Sequence, residues 1–153
     1  MNFALIASFL LLAAGPEPSP TPPVVGPDGL IHLEPKPEMI DLVPTFPVLT
    51  MSRAVDFYTK KLGFSVNLES GNYVAVGRDL IQIGLVVDRN APKGYKPNCY
   101  IRMAHIDEFY RSLKEKAVKF EVELKTQPTG MKEFSVKDPD GNTLIFGEYI
   151  GGT

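Results

Sequence analysis

The sequence predicts an α+β domain built from two βαβββ modules that together enclose a cleft. Three observations carry this expectation: a composition shift near Met39, a strand–helix–three-strand order that occurs twice, and short runs of residues that answer one another between the halves. Ten of the 14 prolines fall between Pro16 and Pro47, and only Pro92, Pro97, Pro128 and Pro139 follow. One globular segment, 39–150, is thereby set off from what precedes it.

The first half opens with a strand over Val43–Leu49, pushed towards a sheet edge or a strand end because Pro44 and Pro47 cannot donate to a ladder. A helix follows, with Thr50 or Ser52 able to cap it, Met51, Ala54, Val55, Tyr58 and Leu62 on one 3.6-period face, and Gly63 as the left-handed stop. Strands are expected at Phe64–Glu69, Tyr73–Gly77 and Leu80–Val87, separated by Ser70-Gly71-Asn72 and Arg78-Asp79. The proline-bearing stretch Asp88–Asn98 is long for a connection and reads as a crossover or a lid.

The order then returns. A strand over Cys99–Ala104 leads into a helix over Asp107–Val118 with Phe109, Tyr110, Leu113 and Ala117 on one face, and strands follow at Phe120–Lys125, Lys132–Lys137 and Thr143–Tyr149. Asp138-Pro139-Asp140-Gly141 joins the last two and is a strong turn sequence. Asp56-Phe57-Tyr58 answers Glu108-Phe109-Tyr110, and Phe64-Ser65-Val66 answers Phe120-Glu121-Val122, so a duplication is expected, with the aromatic pairs packing helices on sheet.

Charge excludes some partners. The formal net charge is −2, but Glu17, Asp28, Glu34 and Glu38 lie upstream of Met39 with the single cation Lys36, which leaves the domain close to neutral. No basic stripe with interleaved aromatics is present, so nucleic acid is not an expected partner. Cys99 is the only cysteine, which rules out an intramolecular disulfide and a thiolate-rich metal site; it reads as a buried, inert thiol. Phe3–Ala14 is an apolar run of signal-peptide length, too short for a stable membrane span, and 16–38 reads as a proline-rich linker with polyproline character. If 1–15 acts as a signal peptide the protein is exported; if Met39 is the true start it is cytoplasmic.

The runs Ser52-Arg53-Ala54-Val55-Asp56-Phe57-Tyr58 through Leu62-Gly63-Phe64, Ile106-Asp107-Glu108-Phe109-Tyr110, and Asp138-Pro139-Asp140-Gly141-Asn142 leading to Glu148 resemble the vicinal oxygen chelate superfamily of glyoxalases, extradiol dioxygenases and bleomycin resistance proteins. The resemblance spans Val43–Tyr149 and implies a curved eight-stranded sheet around a cleft. Enzymes of the superfamily draw metal ligands from the first and last strands of each module. The matching positions here hold Val43, Asn98 and Gly84 or Leu85, with Glu148 alone competent. One carboxylate cannot fix a metal that needs about three protein ligands. His32 lies before the domain and His105 at a strand–helix junction, where capping or solvent contact is its expected role. No nucleophile elbow or phosphate-cradling loop is present.

The pattern resembles the bleomycin resistance branch, which implies a binding protein rather than an enzyme: a homodimer holding a drug or aromatic ligand in a metal-free cleft, with no cofactor. The expected ligand-binding residues are Tyr73, Tyr95, Tyr100, Arg102 and Glu148, with none assigned to catalysis or metal. Near-neutral charge and the absence of Trp fit a cationic drug with flat rings less well than a typical member would. Two alternatives stay open: a metal-dependent glyoxalase-like lyase or dioxygenase, and an exported protein-interaction module.

Overall fold

The computed structural model of the chain describes residues 24–25, 31–32 and 41–151, with residue 93 excepted. The signal-peptide reading of 1–15 lies outside the described residues, as does most of the linker reading of 16–38. Within 16–38, read from the sequence as a linker, Val24–Val25 pairs antiparallel with Ile31–His32, a short ladder that a polyproline segment would lack. A second compact unit, Asp41–Thr153, carries both modules.

The first module runs β1 (Thr45–Val48), α1 (Met51–Asp56), a π-helical turn (Phe57–Lys61), β2 (Ser65–Ser70), β3 (Tyr73–Arg78) and β4 (Ile81–Val87). The second runs β5 (Asn98–Arg102), α2 (Ile106–Glu115), β6 (Phe120–Thr126), β7 (Met131–Lys137) and β8 (Thr143–Tyr149). The eight strands divide into two hydrogen-bonded sheets of four, ordered β1-β4-β3-β2 and β5-β8-β7-β6. In each, the first and last strands of the module are parallel neighbours and the other pairs are antiparallel. A parallel pair requires a long crossover, which the helix and meander of each module supply.

Several boundaries differ from the sequence expectation for local reasons. β1 begins at Thr45, after Pro44. Thr50 is the extended N-cap residue of α1, but neither its hydroxyl nor that of Ser52 caps the helix. The last turn of α1 widens, with Leu62 N–H reaching Phe57 O at 3.2 Å, before Gly63 takes a φ of 77° and ends it. α2 stops at Glu115, short of Val118. Ala117 adopts a φ of 52°, and the amides of Val118 and Ala117 return to Leu113 O and Lys114 O at 3.0 and 2.9 Å. This is the Schellman closure, with alanine where glycine is usual.

Strand alternation sorts each sheet into two faces. Phe46, Val48, Val74, Val76, Ile83 and Leu85 from the first sheet, and Phe134, Val136, Leu144 and Phe146 from the second, all turn to the helix side. With Tyr58, Leu62, Ile106 and Leu113 they form one continuous core across both modules. Each such side chain contributes about 1.5–3 kcal/mol on burial. Phe109 and Tyr110 are buried as expected and meet Phe146 and Phe120 at ring separations of 5.1 and 4.4 Å.

The modules are joined by the Asp138–Asn142 turn. Asp138, 4% exposed, accepts from the amides of Asp140 and Asn142, from Asn142 Nδ2 and from the Tyr58 hydroxyl on the first module. Asn142 Nδ2 also donates to Pro47 O at 2.9 Å, and Arg53 pairs with Asp140 at 2.5 Å. The turn sequence thus has a tertiary role besides reversing the chain.

Candidate functional site

The sheet faces opposite the helices are the surfaces on which the expected ligand contacts should meet. On the first sheet Tyr73 lies across Gly84 of β4: a methyl group added at Gly84 would stand 2.7 Å from the Tyr73 hydroxyl and 3.1 Å from Thr45 Oγ1. On the second, Tyr100 of β5 reaches over Gly147 of β8 in the same manner, and its hydroxyl donates to Glu133 Oε1 at 2.5 Å. Each tyrosine occupies space that a side chain on a last-strand glycine would fill. Partial desolvation, followed by the Glu133 carboxylate, pushes the Tyr100 hydroxyl up to about 12, with Arg102 opposing. The phenol therefore stays a neutral donor and stacking surface. Tyr100 and Tyr149 are 44% and 63% exposed, so this face is open in a single chain.

Arg102 ends β5, is exposed, and borders the mouth of a cavity on the helix side as well as neighbouring Tyr100. Tyr95 lies apart on the loop between the modules, 55% exposed, beside a recess of about 120 Å3 shared with Leu49 and Asp140. The structure brings Tyr100 and Arg102 together; Tyr73 belongs to the other sheet and Tyr95 to neither.

Glu148 stands elsewhere. It alternates with Phe146 onto the helix side, opposite Lys132, and its carboxylate accepts from the amides of His105 and Ile106 at 3.0 and 2.9 Å. These bonds cap α2 and hold the Glu148 carboxyl below the usual glutamate range. His105 is the N-cap residue by position, in the left-handed region with a φ of 58°, and makes no side-chain cap. Of the two roles expected of His105, solvent contact holds, since it is exposed, and the cap is made by Glu148. A group whose folded pKa is depressed contributes stability above its unfolded pKa and loses it as pH falls through the folded value. Thermal melts of wild type and Glu148→Gln should therefore differ most near neutral pH, with wild type higher, and converge below the usual glutamate range.

The last-strand position that does face outward beside Tyr100 is Ile145, and its counterpart beside Thr45 is Gly84. Neither ligates metal. Among the described residues no three His, Cys, Asp or Glu side chains cluster in a way that could hold a metal ion. The donor set does not fit a resident divalent cation. Cys99 faces the helix side, and burial pushes its thiol up to about 11, which leaves it protonated and inert. No described helix is long and apolar enough to cross a membrane.

Residues 40–146 match the model of the Glyoxalase/Bleomycin resistance protein/Dioxygenase superfamily. The chain belongs to this superfamily. Among solved structures, a superfamily member from Sphaerobacter thermophilus is 30% identical, with a TM-score of 0.55 over 71% of this chain and 98% of that one. A bleomycin-binding protein complexed with bleomycin is 19% identical, with a TM-score of 0.64 over 72% and 98% of the two chains. A lactoylglutathione lyase from Agrobacterium tumefaciens is also 19% identical, with a TM-score of 0.60 over 74% and 96%. No curated protein matches in sequence. The superfamily thus joins binding proteins and lyases on one fold, and the side chains of the site must separate them.

Sequence reasoning missed the two tyrosine–glycine pairs and the role of Glu148. The second was signalled: Leu144, Phe146 and Glu148 share a parity, which places Glu148 on the core face. The first had no local signal, because strand register decides which residue lies across which glycine.

Proposed function

We propose that this chain is a non-enzymatic small-molecule-binding protein that sequesters a drug or planar aromatic ligand against the outer sheet faces, in clefts closed by a second copy. The observation that carries this reading is the composition of those faces. Tyr73 and Tyr100 reach over Gly84 and Gly147 and offer aromatic surface there, whereas the one competent carboxylate, Glu148, is committed to α2. Such a surface needs apolar walls and a few placed polar groups, here Arg102 and the Tyr100–Glu133 pair. The likeness to a bleomycin-binding protein supports the reading at the level of fold. The exposed Tyr100, Val122 and Tyr149 support a homodimer, since a face of this kind is completed by a self-complementary partner.

Calorimetric titration of chelator-free protein with bleomycin and with a neutral planar aromatic such as 1-naphthol tests the proposal. Saturable binding is expected, weakened about tenfold by Tyr100→Ala through loss of one stacking contact of about 1.4 kcal/mol. Light scattering should give a dimer. Stoichiometric zinc, nickel, manganese or iron surviving purification would overturn the metal-free reading in favour of a lyase or dioxygenase. A stable monomer would remove the second copy from the cleft.

A further inference from the structure

On the helix side, sharing only Arg102 at its rim with the outer-face site, a cavity of about 630 Å3 opens between the Arg78–Ile81 turn of the first module and the Ile101–His105 segment of the second. That volume falls within the range of small-molecule sites. Its floor is apolar and built from both modules: Phe64 and Ile81 from the first, Ile101, Met103, Phe109 and Phe146 from the second. We propose that this cavity is a second ligand site, which takes a small amphipathic carboxylate with its apolar body on this floor and its head at Arg78.

Arg78 supplies the chemistry. Its guanidinium lies 4.5 Å over the Phe109 ring and donates through Nη1 to Leu62 O at 2.7 Å. Among the described residues the nearest carboxylate oxygen, on Asp79, stands 3.7 Å from Nε on a side chain that is 88% exposed, while the Arg78 side chain is 37% exposed. A guanidinium has five N–H donors. This one is partly exposed, fixed in direction and only weakly neutralised, which leaves the rest of the fork for an anionic head. Arg102 and His105 add further cationic or donor groups at the rim. The other acid there, Glu108, is exposed on the first turn of α2.

Two further features converge on the same walls. Of the three described non-glycine residues with positive φ, Asp79 (53°) and His105 (58°) both line this cavity, whereas Ala117 closes α2. Left-handed backbone at a non-glycine residue costs about 1 kcal/mol and is retained where a shape is needed. Leu80, at the tip of the turn, is 98% exposed at the cavity mouth. A ligand body seated there would cover a leucine that the fold otherwise leaves in water.

The test is titration of the full chain with 2-naphthoate and its neutral analogue 2-naphthylmethanol, followed by calorimetry and by amide NMR shifts. Expected are one 2-naphthoate site in the cavity per chain, at least tenfold preference for the acid, and the largest shifts at Leu80 and Ala104 rather than at Glu133 and Ser135. Ala104 is exposed on the rim, so Ala104→Trp should obstruct the mouth without disturbing the core and weaken 2-naphthoate at least tenfold. Arg78→Gln should abolish the preference for the acid. Equal affinity for acid and alcohol, no saturable binding, affinity untouched by Ala104→Trp, or shifts centred on Glu133 would each overturn the proposal. The last outcome would locate the ligand on the outer face, so failure here and failure of the outer-face reading are told apart.

Discussion

Phe134→Ala is expected to lower stability by about 3–5 kcal/mol, because a buried aromatic is replaced by a void that its neighbours cannot close. Phe134 is fully buried and meets Phe146, Tyr110, Phe120 and Phe109 at ring separations of 5.1, 5.3, 5.6 and 6.0 Å. It is the one ring that touches α2, β6 and β8 together. Thermal melting should show a midpoint lower by on the order of 20 °C. A fall of only a few degrees would mean that α2 and β6 can collapse into the gap. The consequence reaches function through β7: Phe134 anchors the strand on which Glu133 receives the Tyr100 hydroxyl, so ligand affinity at the outer face should fall with it.

Asp138→Ala is expected to cost about 3–4 kcal/mol in urea unfolding at neutral pH, since it strands buried amide donors of the turn that Asp138 now satisfies. The loss should exceed that of Arg53→Ala, whose side chain is half exposed and pairs with Asp140 at one oxygen only. Asp138→Asn separates charge from shape. Burial raises the Asp138 carboxyl above its usual range, against opposing hydrogen bonds from Asn142 and Asp140. The native state then holds the proton more tightly than the unfolded chain. The associated stability is present below the unfolded pKa and lost as pH rises through the folded one. The penalty of Asp138→Asn relative to wild type should therefore shrink with rising pH. A penalty that grows would show that the hydrogen bonds outweigh desolvation.

Much of the fold was legible because it is written locally. Helix periodicity at Ala54, Tyr58 and Leu62 and at Phe109 and Leu113, the stop at Gly63 and the turn at Asp138–Gly141 all depend on neighbours within a few residues. The candidate site was legible only in part. Tyr100 and Arg102 lie two apart on one strand, so their proximity follows from alternation. Glu148 was drawn into the site by its place at the end of the last strand, while its parity with Leu144 and Phe146 placed it on the other face.

The sequence by itself determined two βαβββ modules and a near-neutral domain with a single cysteine. These depend on composition, periodicity and the identity of single residues. Tertiary structure alone decided that the eight strands form two sheets of four, that Tyr73 and Tyr100 lie over Gly84 and Gly147, and that Glu148 caps α2 across 42 residues of chain. It alone also made the cavity, whose walls come from segments far apart in sequence. The physical reason is common to all four: register and module packing are set by the burial of whole faces, and no short run of residues encodes which distant partner a face will meet.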